Sequence, residues 1–597
     1  MTPPGRPGKA AALVVGCVVS FFVAVDLVRW IRPALFCDPD PSWAIPRFLL
    51  WLSLASAAVS AGGLVAGAFF LWTRSWLARV APGPLPLSRS SIAAVAATAL
   101  AAGVFLRAVW LSKLPFPFMG DEVNLIGPTL ALSGTWRDFA DSIRSIPFGV
   151  PDPHEVIGVL YLRLFRGVLH LFGPTIAGIR FPSLAGGVLS LVTGTLLGRA
   201  LLPRGGGALA ALVLAGLRWH LILSRIGWHL ILVTAMADAA TLLLLRSRAS
   251  GRAAPAAAAG LLLGTAAHFH IAAWVPAIAL LAFSAWPALR QEGAGPPVRR
   301  LLACGAALLL AAAPLFLLSE GRAAGYFGRT ARHNVFLEMR YTKSLLPPFA
   351  VAADSLAAPW FLPEPAGWID LPGRSRLGWV IGVPVALALS RSLVFPREEL
   401  SALLLLHASA ALAAAVVGGQ AGHPHGFRFG YLTTVTAVAA AAGLLQIIHL
   451  VRPRFRRAAA FAAIGLVAWS GAAGARDALL RWPSERSTFD GYHGEDTLIG
   501  RAAARWESSG SVLVQPGLGR SQATIDTVRR YRLDPDRESA PDSAPRPGRR
   551  SAPPLPKRFR VAAPGTPPGR EERLVERVRD GWGREWAVVF GRAVRGS

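Results

Sequence analysis

The stretch VIGVLYLRLFRGVLHLF, residues 156–172, decides how the rest of the chain is threaded. At first sight it is apolar enough to cross a bilayer. Arg163, Arg166 and His170, however, recur at helical spacing along one face, so the spacing predicts an amphipathic helix rather than a uniformly apolar one. The consequence is a matter of parity. With this helix flat on the outer interface, the arginine-bearing loops at 74–89, 199–204, 246–252, 290–300, 391–397 and 452–457 all fall on one side with the N-terminal tail. With the helix crossing, that agreement breaks downstream of it. Cytoplasmic loops carry the excess of Lys and Arg, so the pattern predicts an interfacial helix and a cytoplasmic N-terminus.

Outward from this helix the chain is a succession of apolar runs. It has 597 residues, 53% hydrophobic and only 16% charged, where a soluble protein carries about a quarter charged. Runs of roughly 17–25 apolar residues are long enough to span. They lie at about 10–30, 48–73, 91–112, 178–201, 206–223, 227–245, 254–268, 270–287, 300–319, 376–393, 399–418, 429–451 and 457–476. The predicted fold is an all-α polytopic membrane protein of about 13 transmembrane helices, with outer juxtamembrane helices and a small C-terminal α/β domain. Residues 1–90 supply two extra N-terminal helices. Residues 91–476 form the core, with outer loops at 113–177 and 320–375, and residues 477–597 form an extracytoplasmic domain.

In that last region SVLVQ, RFRVAA and EWAVVFGRAV predict short buried strands, while IDTVRRYR and REERLVERVRD predict helices between them. Such alternation suggests an α/β unit. A Pro/Ser/Arg-rich insert at about 533–556 predicts disorder. QPGLGR, after the first strand, is expected to be a turn rather than a phosphate loop.

The formal charge of +28 does not point to nucleic acid, because the arginines fall in short inter-span loops and the tail and no compact basic domain accompanies them. Cys17, Cys37 and Cys304 give neither a disulfide framework nor a metal spacing. The apolar start resembles a signal peptide, but no small-residue cleavage site precedes a mature domain and further spans follow, so an uncleaved first span is expected.

Ionisable groups near hydrocarbon are costly and mark function. Asp121 and Glu122, in FPFMGDEVNLIGPTLALSGTW, stand directly after the 91–112 run. Asp121 is able to cap the helix that follows and Glu122 to favour its dipole. Alternatively the pair is catalytic, a carboxylate serving as base for an acceptor hydroxyl. Arg225 and Arg428, at predicted outer span ends, are candidate phosphate ligands, or interfacial arginines that snorkel. His268 and His270 in AAHFHIAAW lie at an outer turn, as do His423 and His425 in GHPHGF. Arg329, Arg332 and His333 stand in the second loop, available to line a cavity or face solvent. Trp360, Phe361 and Trp368 suit an interfacial belt or sugar stacking. Glu122, Glu155, His268 and His270 are the candidate ligands for a divalent metal ion, whose presence the sequence leaves open.

The order of short motifs resembles the membrane-embedded glycosyltransferases of the C superfamily (GT-C), above all the protein mannosyltransferase-like family 39, which includes the lipid A aminoarabinose transferases. Those enzymes carry an Asp-Glu pair in the first outer loop of the core, matched by Asp121-Glu122. A juxtamembrane helix ending Leu-Phe-Gly follows, matched by Leu171-Phe172-Gly173. Next comes an Arg-x-Pro-Ser start to a span, here Arg180-Phe181-Pro182-Ser183, and then a span ending Ser-Arg, here Ser224-Arg225. A Gly-Leu-rich span from Ala259-Gly260 also fits. The resemblance covers about residues 91–476. It implies a polyprenyl-phosphate sugar donor and inverting transfer to a glycan, lipid or protein acceptor at the outer face of a bacterial inner membrane, with Asp121 as general base. There are two departures. Relatives have Lys-Pro where this chain has Asp152-Pro153-His154-Glu155, leaving His154 as the substitute phosphate ligand. A second acid of some relatives is replaced around Ser224–Leu232 by Arg225 and His229.

Three other functional classes stay in view: an O-antigen ligase-like transferase using the 320–375 loop, a lipid-linked sugar transporter or flippase, and an inactive scaffold. Transporters place ionisable groups near the midplane of repeated halves; here the runs are nearly free of acids, Asp26 and Asp238 being the main exceptions, and no repeat is visible.

Overall fold

The computed structural model describes most of residues 81–593; residues 1–80, 115–121, 132–158, 287–294, 318–334, 361–369, 419–425, 534–556, 594–597 and a few single positions lie outside the described set. The first two expected spans and the Pro/Ser/Arg-rich insert therefore fall outside it. Seven described helices are long and apolar enough to cross a membrane by length and composition. Four shorter apolar helices, Gly206–Gly216, Ala254–Ala267, Ile271–Ala285 and Gly378–Val394, accompany them. These eleven fall on the eleven runs expected after residue 90, and the chain is a multi-pass membrane protein.

Helix α1, Arg89–Ala108, begins at Ser88, whose side chain accepts the Ser91 amide at 3.0 Å, a conventional N-cap. A short helix α2, Ile126–Ala131, follows the acid pair. Helix α3, Val159–Phe172, is the amphipathic segment. Its 14 residues reach only about 21 Å, short of the roughly 30 Å of hydrocarbon. It buries Tyr161, Leu162, Phe165 and Leu169 while Leu164, Leu171 and Phe172 stay exposed. Arg166 donates to His170 along the exposed side at 3.1 Å.

Gly173, at φ +70°, ends α3 in the left-handed conformation that glycine adopts without strain. Two residues later Thr175 caps helix α4, Ile176–Leu201, accepting from the Gly178 amide at 3.0 Å. The Leu-Phe-Gly stretch is thus the turn that sets α3 against α4.

The core continues with α5 (Gly206–Gly216), the short α6 (Arg218–Leu223), α7 (Leu230–Ser250) and α8 (Ala254–Ala267). Next come α9 (Trp274–Ala285) and α10 (Gly295–Leu317). Small residues let these helices approach closely: Cβ atoms added at Gly260 and Gly264 would lie 2.0 Å and 2.4 Å from the carbonyl oxygens of Cys304 and Leu308. Cys304 is buried at that contact, as a packing residue.

The described part of the 320–375 loop is more structured than its sequence suggests. It carries helices α11 (Val335–Thr342) and α12 (Pro347–Ala357). Trp360 is packed there, its indole donating to the Gly382 carbonyl at 3.3 Å. Four further helices complete the described apolar set: α13 (Gly378–Val394), α14 (Glu399–Gly418), α15 (Thr433–Leu450) and α16 (Arg456–Arg476).

Beyond them stands a small α/β unit. Helix α17, Gly494–Glu507, and helix α18, Gln522–Tyr531, pack on a four-stranded sheet of order β1-β2-β4-β3. The strands are β1 (Gly510–Val514), β2 (Lys557–Ala562), β3 (Arg573–Arg579) and β4 (Glu585–Ala593). β1 and β2 are parallel and the other pairings antiparallel. One expectation is corrected: REERLVERVRD is not a helix but supplies β3. Its charges, spaced as for helical ion pairs, act across the sheet instead. Arg577 meets Glu585 of β4 at 2.8 Å, and Trp506 donates to Glu576 at 2.7 Å. Gly583 at φ +84° turns the β3–β4 hairpin.

QPGLGR is a turn, with Gly517 and Gly519 at positive φ. Its following amides are already used: those of Arg520 and Ser521 donate to the Asp496 carboxylate at 2.8 Å and 3.0 Å.

Candidate functional site

The site is built where α1 ends, α4 and α7 begin and α6 hands over to α7. Three arginines donate to backbone carbonyls here, and one of them, Arg225, takes up carbonyls that the C-terminus of α1 leaves without intrahelical donors. Arg107 donates to the Gly103 and Leu214 carbonyls at 2.6 Å and 2.8 Å. Arg225 donates to Leu106 at 2.9 Å and Arg107 at 3.0 Å. Arg180 donates to Leu111 at 3.0 Å. All three are buried.

Glu122 balances this group. Its Oε1 accepts from Arg180 Nε at 3.1 Å and from the Gly227 amide at 2.5 Å, and the Glu122 and Arg180 side chains are fully buried. Gly227 is required by that approach. A Cβ there would lie 3.0 Å from Ile179 Cγ2, 3.1 Å from Glu122 Cγ and 3.2 Å from its Oε1. Ser183 fastens the same loop by donating to the Trp228 carbonyl at 2.6 Å. Among the described residues the layer holds three guanidinium groups to one carboxylate. Burial, and then the neighbouring Arg180, pulls the Arg225 pKa down to about 9, which still leaves it protonated at neutral pH.

Beside this layer lies an aromatic and imidazole group. His229 is buried, its ring 4.7 Å from Tyr161, 5.3 Å from His270 and 6.4 Å from Trp228 between centroids. Among the described residues neither ring nitrogen of His229 has a hydrogen-bond partner. His270 Nδ1 accepts the Ala272 amide at 3.0 Å, which places the proton of the neutral ring on Nε2. His268 lies 2.9 Å from the Ala311 carbonyl through Nε2, which therefore donates.

A chain of polar groups runs inward from the same layer. Arg107 lies 2.7 Å from His220 Nδ1. Arginine only donates, so Nδ1 accepts and Nε2 carries the proton toward Ser190 Oγ at 3.0 Å. Ser190 and Thr193 then donate to Asp238 at 3.4 Å and 3.2 Å. Asp238 is buried among these hydroxyls rather than open to a channel.

Of the residues expected at the site, the structure brings Glu122, Arg225, His229 and His270 to one end of the bundle, with His268 on the adjoining turn. Asp121, His154, Glu155, Arg332 and His333 lie outside the described residues, as do Arg329, Phe361, Trp368, His423 and His425. Arg428 belongs to the 3-10 turn Gly426–Leu432, and its side chain is not among those described. Arg107 and His220 match no motif; what marks them is a cationic or imidazole side chain inside an apolar run. Arg180 is present in the Arg-Phe-Pro-Ser stretch, but its partner is not visible from spacing. Among the described residues no three His, Cys, Asp or Glu side chains gather as metal ligands. One atom of each of Glu122, His268 and His270 is engaged as given above, and Glu155, the fourth candidate ligand, lies outside the described residues.

No protein-family model matches the chain, and no curated protein matches it. Solved structures similar to it include two of the Archaeoglobus fulgidus oligosaccharyltransferase. For AglB solved with an inhibitory peptide and dolichol-phosphate, identity is 15% and TM-score 0.44, over 73% of this chain and 63% of that one. For the complex with Zn and sulfate, identity is 16% and TM-score 0.42, over 74% and 62%. The chain thus spans less than two thirds of the length of the archaeal enzyme. ArnT from Cupriavidus metallidurans, bound to undecaprenyl phosphate, is similar at 14% identity and TM-score 0.46, over 85% of this chain and 98% of that one.

Proposed function

We propose that this chain is a membrane glycosyltransferase that moves a sugar from a polyprenyl-phosphate donor to an acceptor on the outer face of a bacterial inner membrane. One observation carries the reading: the dispersed motifs converge. Glu122 of the acid pair meets Arg180 of the Arg-Phe-Pro-Ser stretch, and Ser183 of that stretch holds the loop after Ser224-Arg225. Gly173 of the Leu-Phe-Gly stretch sets the turn into the helix that carries Arg180 and Ser183.

In this proposal the two acids divide their work. Glu122 is the positioning residue, held by Arg180 and the Gly227 amide. A trans peptide keeps the Asp121 Cα about 3.8 Å from that of Glu122, so anchoring one carboxylate tethers the other to the layer. Asp121 takes the proton of the acceptor hydroxyl as that oxygen bonds to the anomeric carbon. The bond from that carbon to the donor phosphate oxygen breaks, and the phosphate leaves with the electron pair. Attack opposite the leaving group inverts the anomeric centre.

The departing phosphate gains charge and calls for preorganised cations. Arg428 and His154 are assigned to contact it. Arg225, whose guanidinium faces backbone carbonyls, contributes through the field of the arginine layer. His268, His270, Arg332 and His333 are assigned to the acceptor side. The test is transfer from a polyprenyl-phosphate sugar in membranes carrying D121N. Loss of transfer at normal expression is expected; wild-type transfer by D121N overturns the assignment.

A further inference from the structure

His407 stands close to the middle of α14, whose other ionisable side chain is the terminal Glu399. It is 2% exposed, and among the described residues neither of its ring nitrogens has a hydrogen-bond partner. Trp219 of α6 is also 2% exposed, and its indole Nε1 has no partner among those residues either. A buried polar atom left unpaired is costly, and an ionisable group inside an apolar span marks a site by default.

Both side chains line one cavity of about 130 Å³, bordered by α6, α12, α13, α14, α15 and the 3-10 turn Gly426–Leu432. A cavity of roughly 150 Å³ is enough to hold benzene, so this one admits a polar group with a few carbons rather than a single water. Its walls are mostly apolar, with Trp360, Val385, Leu389, Leu404 and Phe429. Among the described residues no Lys, Arg, Asp or Glu lines it. An ionic headgroup would therefore be buried without a counter-charge, and the imidazole, with no acid in the lining, is neutral. Two of the lining residues are exposed: Leu356 of α12, at 54%, and Ala408 of α14. The cavity thus reaches the surface between α12 and α14, on an apolar face of a multi-pass membrane protein.

The unpaired atoms define what fits. A neutral imidazole offers one N–H donor and one acceptor nitrogen, and an indole offers one donor. Two donors and one acceptor are the complement of a hydroxyl, which has two lone pairs and one O–H. We propose that this cavity binds the hydroxyl end of a neutral lipid alcohol, with the hydrocarbon chain leaving between α12 and α14 into the bilayer. An alkane would leave the His407 and Trp219 nitrogens unpaired, and a carboxylate or phosphate would find no cation. The site does not rest on the glycosyl-transfer reading, since none of its lining residues is assigned there to donor, acceptor or base.

The experiment uses the full chain in phosphatidylcholine nanodiscs, with native mass spectrometry and thermal unfolding as readouts. Added 1-dodecanol is expected to be retained and to raise the unfolding temperature more than dodecane or dodecanoate does. H407L removes the imidazole and should lower dodecanol affinity about tenfold. A408W fills the mouth at an exposed position and should abolish retention with the imidazole intact. Equal retention of dodecane, tighter retention of dodecanoate, or dodecanol retention unchanged by H407L or by A408W overturns the proposal. If none of the three molecules is retained, the cavity holds water only and the lipid assignment fails. Should H407L not fold, the three molecules on wild type and the A408W variant still decide.

Discussion

Glu122 and Arg180 lie 58 residues apart in sequence and meet at 3.1 Å with neither side chain exposed. Removing one partner of such a pair strands the other charge, at a cost of about 3–5 kcal/mol. E122A should therefore express poorly or melt far below wild type in detergent. Replacing both by apolar residues of similar volume, as in E122L/R180M, should recover part of that loss, because neither member of the pair is then left without the other. If E122A melts like wild type, the pair is not an anchor.

The neighbouring acid should behave in the opposite way. D121N is expected to keep the thermal stability of wild type while transfer falls by about 10²–10⁴-fold, the range for loss of a general base. Measuring melting and transfer on the same preparations separates the two acids: stability tracks Glu122, turnover tracks Asp121. A D121N protein that is unstable as well as inactive would return Asp121 to a capping role.

Gly227 gives a finer probe of the same geometry. The methyl group of G227A would meet Ile179 and the Glu122 side chain at 3.0–3.2 Å, and overpacking of this kind costs about 1–3 kcal/mol. Because the contact is with Glu122, G227A should reduce transfer along with melting temperature. A variant with unchanged activity would show that the exact seat of Glu122 does not matter to Asp121.

His229 tests the reverse case. Its ring packs against Tyr161 and His270 while its nitrogens lack partners among the described residues. H229F keeps the ring and removes two buried polar atoms, so stability should stay level or rise by about 1 kcal/mol. A fall in transfer without a fall in stability would mark His229 as a group that touches substrate. Unchanged transfer would mark it as packing alone.

Much of the helical framework can be read from the sequence because apolar runs of spanning length have few alternatives. The 156–172 helix is equally legible, its Arg163/Arg166/His170 spacing matching a helix too short to cross. The site is legible only in outline. Motif order points to Glu122, Arg180 and Arg225, but not to their partners. Whether an arginine faces a phosphate or the carbonyls ending α1 depends on how helices far apart in sequence pack, and local spacing carries no such information. The β3 segment fails for a related reason. Alternating Arg and Glu in RLVERVR suits helical pairing or cross-strand pairing, and only the arrival of β4 decides between them.

The C-terminal unit offers a test by pH that does not involve transfer. Burial raises the Asp496 pKa to about 6 from an ordinary 3.8, although the Arg520 and Ser521 amides pull the other way. The folded state thus holds this proton over a pH range where the unfolded chain has released it. With more protons bound in the folded state, stability falls as pH rises. The stabilisation by the neutral acid is complete below about pH 4, is lost as pH climbs through about 6, and changes no further above that. D496N keeps one amide acceptor and cannot ionise, so it should flatten this part of the profile. The measurement is the difference in melting temperature between wild type and D496N, taken on the full chain at pH 4.5 and pH 7.5. D496N should gain on wild type at the higher pH. A difference that is the same at both values would mean that Asp496 titrates as an ordinary carboxylate and that its buried seat above the Arg520 and Ser521 amides already favours the charged form.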